Sequence, residues 1–123
     1  MQLKMILAMD LDGCIGKENG LPWRLRSDML RFKRLTLGTG NGAVLMGRTT
    51  WETIPKMYRP LVDRINIVVT RNREYTLSNA DVVYSIEEGI DVAKANNCDE
   101  CWIIGGANVY EQCRDMVEEI HLT

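Results

Sequence analysis

The chain has no surplus of charge of either sign. Its 15 lysines and arginines meet 17 aspartates and glutamates, for a formal net charge of -2. It therefore has neither the basic field of a nucleic-acid binder nor an acidic tail. Long apolar runs are missing as well. The N-terminal run ends at Asp10, too early for a signal peptide or a membrane span, which implies a cytoplasmic protein with no membrane partner. Metal-ligand spacing is poor. Cys98 and Cys101 form a lone CxxC, the second ligand pair of a structural zinc site is absent, and His121 is the only histidine, so no metal is expected. Without a secretory signal the four cysteines, Cys14, Cys98, Cys101 and Cys113, are expected to be reduced. Repeats, low-complexity tracts and linkers are absent too, since the run from Gly38 to Gly42 is too short to separate domains. With 123 residues and 46% hydrophobic content, residues 1–123 are expected to form a single domain.

What is present alternates. Apolar runs at residues 3–9, 43–46, 65–69, 82–84, 101–104 and 119–123 read as buried strands. Helical patterns lie between them, at about residues 28–37, 49–54, 86–96 and 108–113. That order predicts a three-layer α/β domain whose central, mostly parallel sheet carries helices on both faces. Ligands of such sheets bind beyond the carboxyl ends of the strands. One such end runs from Ile103-Ile104 into Gly105-Gly106-Ala107-Asn108-Val109-Tyr110, where small residues admit a phosphate to backbone N–H groups and a helix start adds positive potential. A second, Met46-Gly47-Arg48-Thr49-Thr50-Trp51, adds a guanidinium and hydroxyls, and a third ends in Val69-Thr70-Arg71. Each has a plainer reading, as a tight turn or a solvated arginine. Together the two arginines suit a ligand with more than one phosphate. The dinucleotide fingerprint GxGxxG is absent, which argues against an ordinary Rossmann domain.

One carboxylate is out of place. Leu25, Asp28, Met29, Phe32 and Leu35 fall at helical spacing on one face, which points Asp28 inward. A buried carboxylate is expensive unless it is protonated, paired or met by a ligand that donates hydrogen bonds. The competing reading is a simple N-cap beside Ser27.

Taken in chain order, several motifs resemble a dihydrofolate reductase over essentially the whole chain. They are Ile6-Leu7-Ala8, Ile15-Gly16, Asn19-Gly20-Leu21-Pro22-Trp23, Asp28 with Phe32-Lys33, Val44-Leu45-Met46-Gly47-Arg48 with Thr50-Trp51, Arg59-Pro60-Leu61 with Arg64, Ile104-Gly105-Gly106 with Tyr110-Glu111, and Leu122-Thr123. The resemblance implies the dihydrofolate-reductase-like fold and NADPH-dependent reduction of 7,8-dihydrofolate to 5,6,7,8-tetrahydrofolate by hydride transfer to the pterin ring. It implies that Asp28 orients the pterin and promotes its protonation, that Trp23 holds a water near that carboxylate, and that Leu21 rides on a loop closing over the nicotinamide. Ile6, Ala8, Leu25, Met29, Phe32, Ile54, Ile104 and Tyr110 would surround the substrate, with Thr123 supporting the pterin amino group through water. Arg64, helped by Arg59, would clamp the glutamate carboxylate. For the cofactor, Ala8, Ile15 and Gly16 would flank the nicotinamide end, and Gly105, Gly106, Ala107, Asn108 and Val109 would cradle the pyrophosphate. Arg48, Thr49, Thr50, Thr70 and Arg71 would reach the remaining phosphates, including the 2′-phosphate of NADPH, while Gly20, Gly47, Ile104 and Tyr110 complete that set. A cis peptide at Gly105-Gly106 is implied as well.

The chain also departs from the family pattern. Pro55-Lys56-Met57-Tyr58 lengthens the segment between Ile54 and Arg59, and Asp63 stands where a glycine is common, although Asp tolerates unusual turn dihedrals. Family members usually continue past the threonine matched by Thr123 into a final strand pair. The domain is therefore expected to be C-terminally short, with an exposed edge for association at strand 119–123. Beside the reductase two readings stay open: a non-catalytic binding or structural module of the same fold, and a related pterin or pyrimidine reductase.

Overall fold

The computed structural model describes residues 1–7, 33–38, 40–54, 56 and 59–122. Strands β1 (Gln2–Leu7), β2 (Gly42–Gly47), β3 (Arg64–Val69), β4 (Asp81–Val83), β5 (Glu100–Gly105) and β6 (Glu119–Leu122) form one sheet. Its order is β4-β3-β2-β5-β1-β6, and every pairing is parallel. Helices α1 (Arg48–Thr53), α2 (Ile86–Ala95) and α3 (Ala107–Cys113) connect the strands, and residues 33–37 are helical. Among the described residues no helix is long and apolar enough to cross a membrane.

Parallel strands buried on both faces read as unbroken apolar runs, and side-chain alternation then splits each run between two layers. On one face Leu3, Met5, Ala43, Leu45, Ile67, Val83, Cys101 and Ile103 pack with Ile86 and Ala93 of α2 and with Val109, Tyr110 and Cys113 of α3. On the other, Ile6, Val44, Met46, Val68, Trp102 and Ile104 pack with Trp51 of α1 and Ile54, and Leu35 lies against them. Cys98, Cys101 and Cys113 are buried free thiols of the first layer, whereas Cys14 lies outside the described residues.

Helix α2 is specified at both ends. The Ser85 hydroxyl accepts the Glu88 N–H at 3.1 Å, Glu87 and Glu88 stand in the first turn, and Lys94 stands in the last. Its middle carries Gly89, where a Cβ would lie 2.6 Å from Leu45 Cδ1 and 3.3 Å from Ile67 Cγ2. The missing side chain is what lets the helix lie directly on β2 and β3.

Strand β3 is entered through a side-chain hub. Buried Asn66 donates through Nδ2 to the carbonyls of Leu61 and Arg64 and accepts the Leu61 N–H, each at 2.9 Å. The turn it closes contains Asp63 at φ 60°, the left-handed conformation that Asp tolerates, and follows a cis Arg59-Pro60 bond. Element limits differ from the sequence reading by a residue or two. β4 is Asp81–Val83 instead of 82–84, which frees Tyr84 for the turn into α2. The described part of β1 ends at Leu7, and residues 8 and 9 lie outside the description.

Candidate functional site

The carboxyl ends of β2, β3, β4 and β5 open onto one cleft of about 730 Å³, within the size range of small-molecule sites. From β2 and α1 come Gly47, Arg48, Thr49, Thr50 and Thr53; from β3, Val69, Thr70 and Arg71; from β5 and α3, Ile104, Gly105, Gly106, Ala107, Asn108, Val109 and Gln112. Tyr84 and Ser85 line it from the end of β4. Thr53, Tyr84, Ser85 and Gln112 were not among the residues chosen from the sequence. The signal for Tyr84-Ser85 was nevertheless there, as a polar pair closing an apolar run ahead of a helix, which makes a fourth strand end.

The register between β2 and β5 explains why the cleft forms where it does. Leu45 pairs with Ile103 but Met46 with Gly105, so Ile104 is an extra residue on β5. Such irregularities commonly mark the place where a strand is bent beside a site. The next bond, Gly105-Gly106, is cis, and Gly105 has φ 142°. A Cβ at Gly105 would lie 3.1 Å from Thr50 Oγ1 and 3.4 Å from the Tyr110 hydroxyl, and one at Gly106 would lie 3.2 Å from Thr50 Oγ1. Bare backbone is therefore offered to the cleft, with the Thr50 hydroxyl against it. The loop carrying Thr70 and Arg71 is held locally: Thr70 Oγ1 accepts the Asn72 N–H at 3.1 Å, and Asn72 Oδ1 accepts the Glu74 N–H at 3.0 Å. Two guanidiniums, several hydroxyls and a glycine floor make a donor set that fits a phosphorylated dinucleotide.

Tyr110 supports this floor from below and is absent from the cleft lining. Its buried hydroxyl lies 2.7 Å from the Ile104 carbonyl and 2.9 Å from that of Ile6, so its single hydrogen ties β5 or β1 to α3. Burial pushes its pKa well above the usual phenol range.

The residues assigned to the substrate are placed more widely. Ile6, Ile54 and Ile104 are buried in the second layer. Half-buried Arg64 donates through Nη1 to Thr36 Oγ1 at 2.8 Å and through Nε to the Val62 carbonyl at 2.9 Å. Desolvation pulls its pKa down, against the attraction of Asp63. Arg59 stacks 5.3 Å from the Trp51 ring centre, donates to the Trp51 carbonyl at 3.3 Å, and lines a second, smaller cavity of about 290 Å³ with Lys56, Leu77 and Asn79. Ala8, Ile15, Gly16, Gly20, Leu21, Trp23, Leu25, Asp28, Met29, Phe32 and Thr123 lie outside the described residues.

A parallel α/β sheet with a cleft of guanidiniums, hydroxyls and bare backbone at its strand ends has the form of the α/β class whose ligands bind beyond the carboxyl ends of the strands. Within that class the chain belongs to the dihydrofolate reductase family, whose model matches residues 2–123. It is 40% identical to the dihydrofolate reductase of Schistosoma mansoni over 119 residues, covering 91% of this chain and 64% of that protein. With the dihydrofolate reductase of Mycobacterium leprae it shares 41% identity over 106 residues, 86% of this chain and 61% of the relative. The Bacillus subtilis dihydrofolate reductase is 36% identical over 121 residues, 98% of this chain and 67% of the relative. The chain thus spans under two thirds of the length of the first two.

Proposed function

We propose that this chain is an NADPH-dependent oxidoreductase that reduces 7,8-dihydrofolate to 5,6,7,8-tetrahydrofolate. The observation that carries the reading is the cleft itself, in a chain of this family: bare backbone at Gly105-Gly106, with Arg48 and Arg71 on neighbouring strand ends. NADPH, when bound, supplies the hydride. The chain's own residues bind and orient. Arg48 and Arg71 pair with phosphate oxygens, the 2′-phosphate included, and Thr49, Thr50 and Thr70 donate from their hydroxyls. Asp28 accepts hydrogen bonds from the pterin amino and ring N–H groups and favours the protonated ring. Arg64 takes the glutamate carboxylate. A guanidinium whose charge is disfavoured by desolvation has most to gain from an anionic partner.

Mixing the protein with NADPH and dihydrofolate tests this. The expected result is loss of NADPH absorbance that requires both compounds, with tetrahydrofolate as product. NADPH binding without oxidation would favour the non-catalytic module, and no binding of either compound would overturn the proposal.

A further inference from the structure

Arg48 is held by two groups that lie outside the cleft. Its Nε donates to Glu52 Oε2 at 3.1 Å, one helical turn along α1, and its guanidinium carbon lies 4.3 Å from the centre of the Tyr75 ring. The Tyr75 hydroxyl reaches the same carboxylate oxygen at 3.4 Å. The two restraints come from different elements, the carboxylate from the next turn of α1 and the ring from the segment after β3. The guanidinium is thus held from two sides, while Nη1 and Nη2 have no partner among the described residues.

For stability alone the arrangement has little worth. Arg48 and Glu52 keep 42% and 48% side-chain exposure, and ion pairs that exposed contribute little. Orientation is another matter. An unrestrained arginine loses much rotamer freedom when it grips an anion, and a fork already aimed loses less. Tyr75 reaches Arg48 from the segment after β3 that also carries Arg71.

We infer that Glu52 and Tyr75 are positioning residues that present Nη1 and Nη2 of Arg48 to the phosphate that distinguishes NADPH from NADH, and so set cofactor preference. This rests on the proposed function, in which Arg48 contacts that phosphate. Neither residue touches the cofactor in this account. Glu52→Ala and Tyr75→Leu should each weaken NADPH binding about threefold to tenfold, the equivalent of re-immobilising one long side chain, and change NADH binding less than about twofold. Glu52→Gln keeps an acceptor for Nε and Tyr75→Phe keeps the ring, so both should retain most of the preference.

Fluorescence titration of NADPH and of NADH into the protein and these variants, with Arg48→Ala alongside, decides the matter. If Arg48→Ala leaves the preference intact, the cofactor reading of Arg48 falls. If Arg48→Ala abolishes it but Glu52→Ala leaves it unchanged or strengthens NADPH binding, the positioning role is overturned, the carboxylate being then a bystander or a competitor of the phosphate. Glu52 is exposed, so its variants test the point even if Tyr75→Leu does not fold.

Discussion

Arg71 and Asp28 do different work in the proposed reaction, and their substitutions should separate. Arg71 is exposed at the end of β3 and lines the cleft, where a guanidinium adds a charge-assisted contact. Arg71→Ala should cost about 1.5–3 kcal/mol in NADPH binding and much less in NADH binding, with the difference shrinking as salt rises. Equal losses for both cofactors in a titration would remove Arg71 from the phosphate. Asp28 should act on turnover instead. Asp28→Asn keeps the shape and removes the charge that pairs with a protonated pterin, so kcat should fall at least about tenfold, or 1.4 kcal/mol. Stability should hold or rise, because the helical pattern of the sequence points Asp28 inward, where a charge is costly. Undiminished turnover at neutral pH would refute the assignment. At this scale the sequence revealed chemistry better than geometry. Arg48, Thr50 and Arg71 were visible because strand ends are where ligands bind. Tyr110 was assigned to the ligands, yet its hydroxyl is occupied by the Ile104 and Ile6 carbonyls, the second 104 residues away in sequence, and no local pattern announces such a contact.

Elements were legible where burial imposed a period. Strands β2 and β5 carry continuous apolar stretches because both faces are covered, β3 is interrupted only by Asn66 between Ile65 and Ile67, and α2 shows its Ser85 cap and its acidic first turn. Irregular details were not legible, because they depend on partners far along the chain. The extra residue at Ile104 arises from how β2 and β5 register, and the turn before β3 is organised by one buried amide, Asn66. The Arg48, Glu52 and Tyr75 group is half visible: the i,i+4 pair can be read from sequence, but the ring over it comes from another element. Gly89 is likewise a packing residue. Ala would gain about 1 kcal/mol in helix propensity, but its methyl would press on Leu45, Ile67 and Val83. Leu45 and Ile67 are fully buried, and Ile67 and Val83 are stiff at χ1, so overpacking of about 1–3 kcal/mol should win. Gly89→Ala should therefore lower the denaturant midpoint, and a midpoint equal to or above the parent's would show that α2 has slack over the sheet.

Across the whole molecule, the layer beneath the cleft is keyed by thiols. Cys98 follows α2, Cys101 sits on β5 and Cys113 ends α3, so three elements meet at cysteines in one apolar layer. Burial pushes Cys101 from 9.0 up to about 12, with Cys98 and Cys113 nearby adding to it, and pushes Cys113 up to about 11. Such thiols are poor nucleophiles, which argues against redox use of the CxxC. They also bias stability against alkali. Above pH 9 the unfolded chain sheds thiol protons that the folded chain keeps, so the unfolded state binds fewer protons and stability falls as pH rises. The stabilisation is whole below pH 9 and is lost progressively up to about pH 12, the raised Cys101 value. Each affected thiol contributes a slope of about 1.4 kcal/mol per pH unit while it is protonated only in the folded state. Against a total stability of about 5–15 kcal/mol, slopes of that size make the thiols a measurable part of the protein's sensitivity to alkali. Tyr110, raised by burial, works in the same direction at higher pH. Denaturant titrations of the reduced protein between about pH 8 and pH 11 should show the decline, and Cys101→Ala, although less stable at neutral pH through its small cavity, should show a shallower one. If parent and variant lose stability in parallel across that range, the thiols ionise as readily folded as unfolded, and the layer they occupy is open to water.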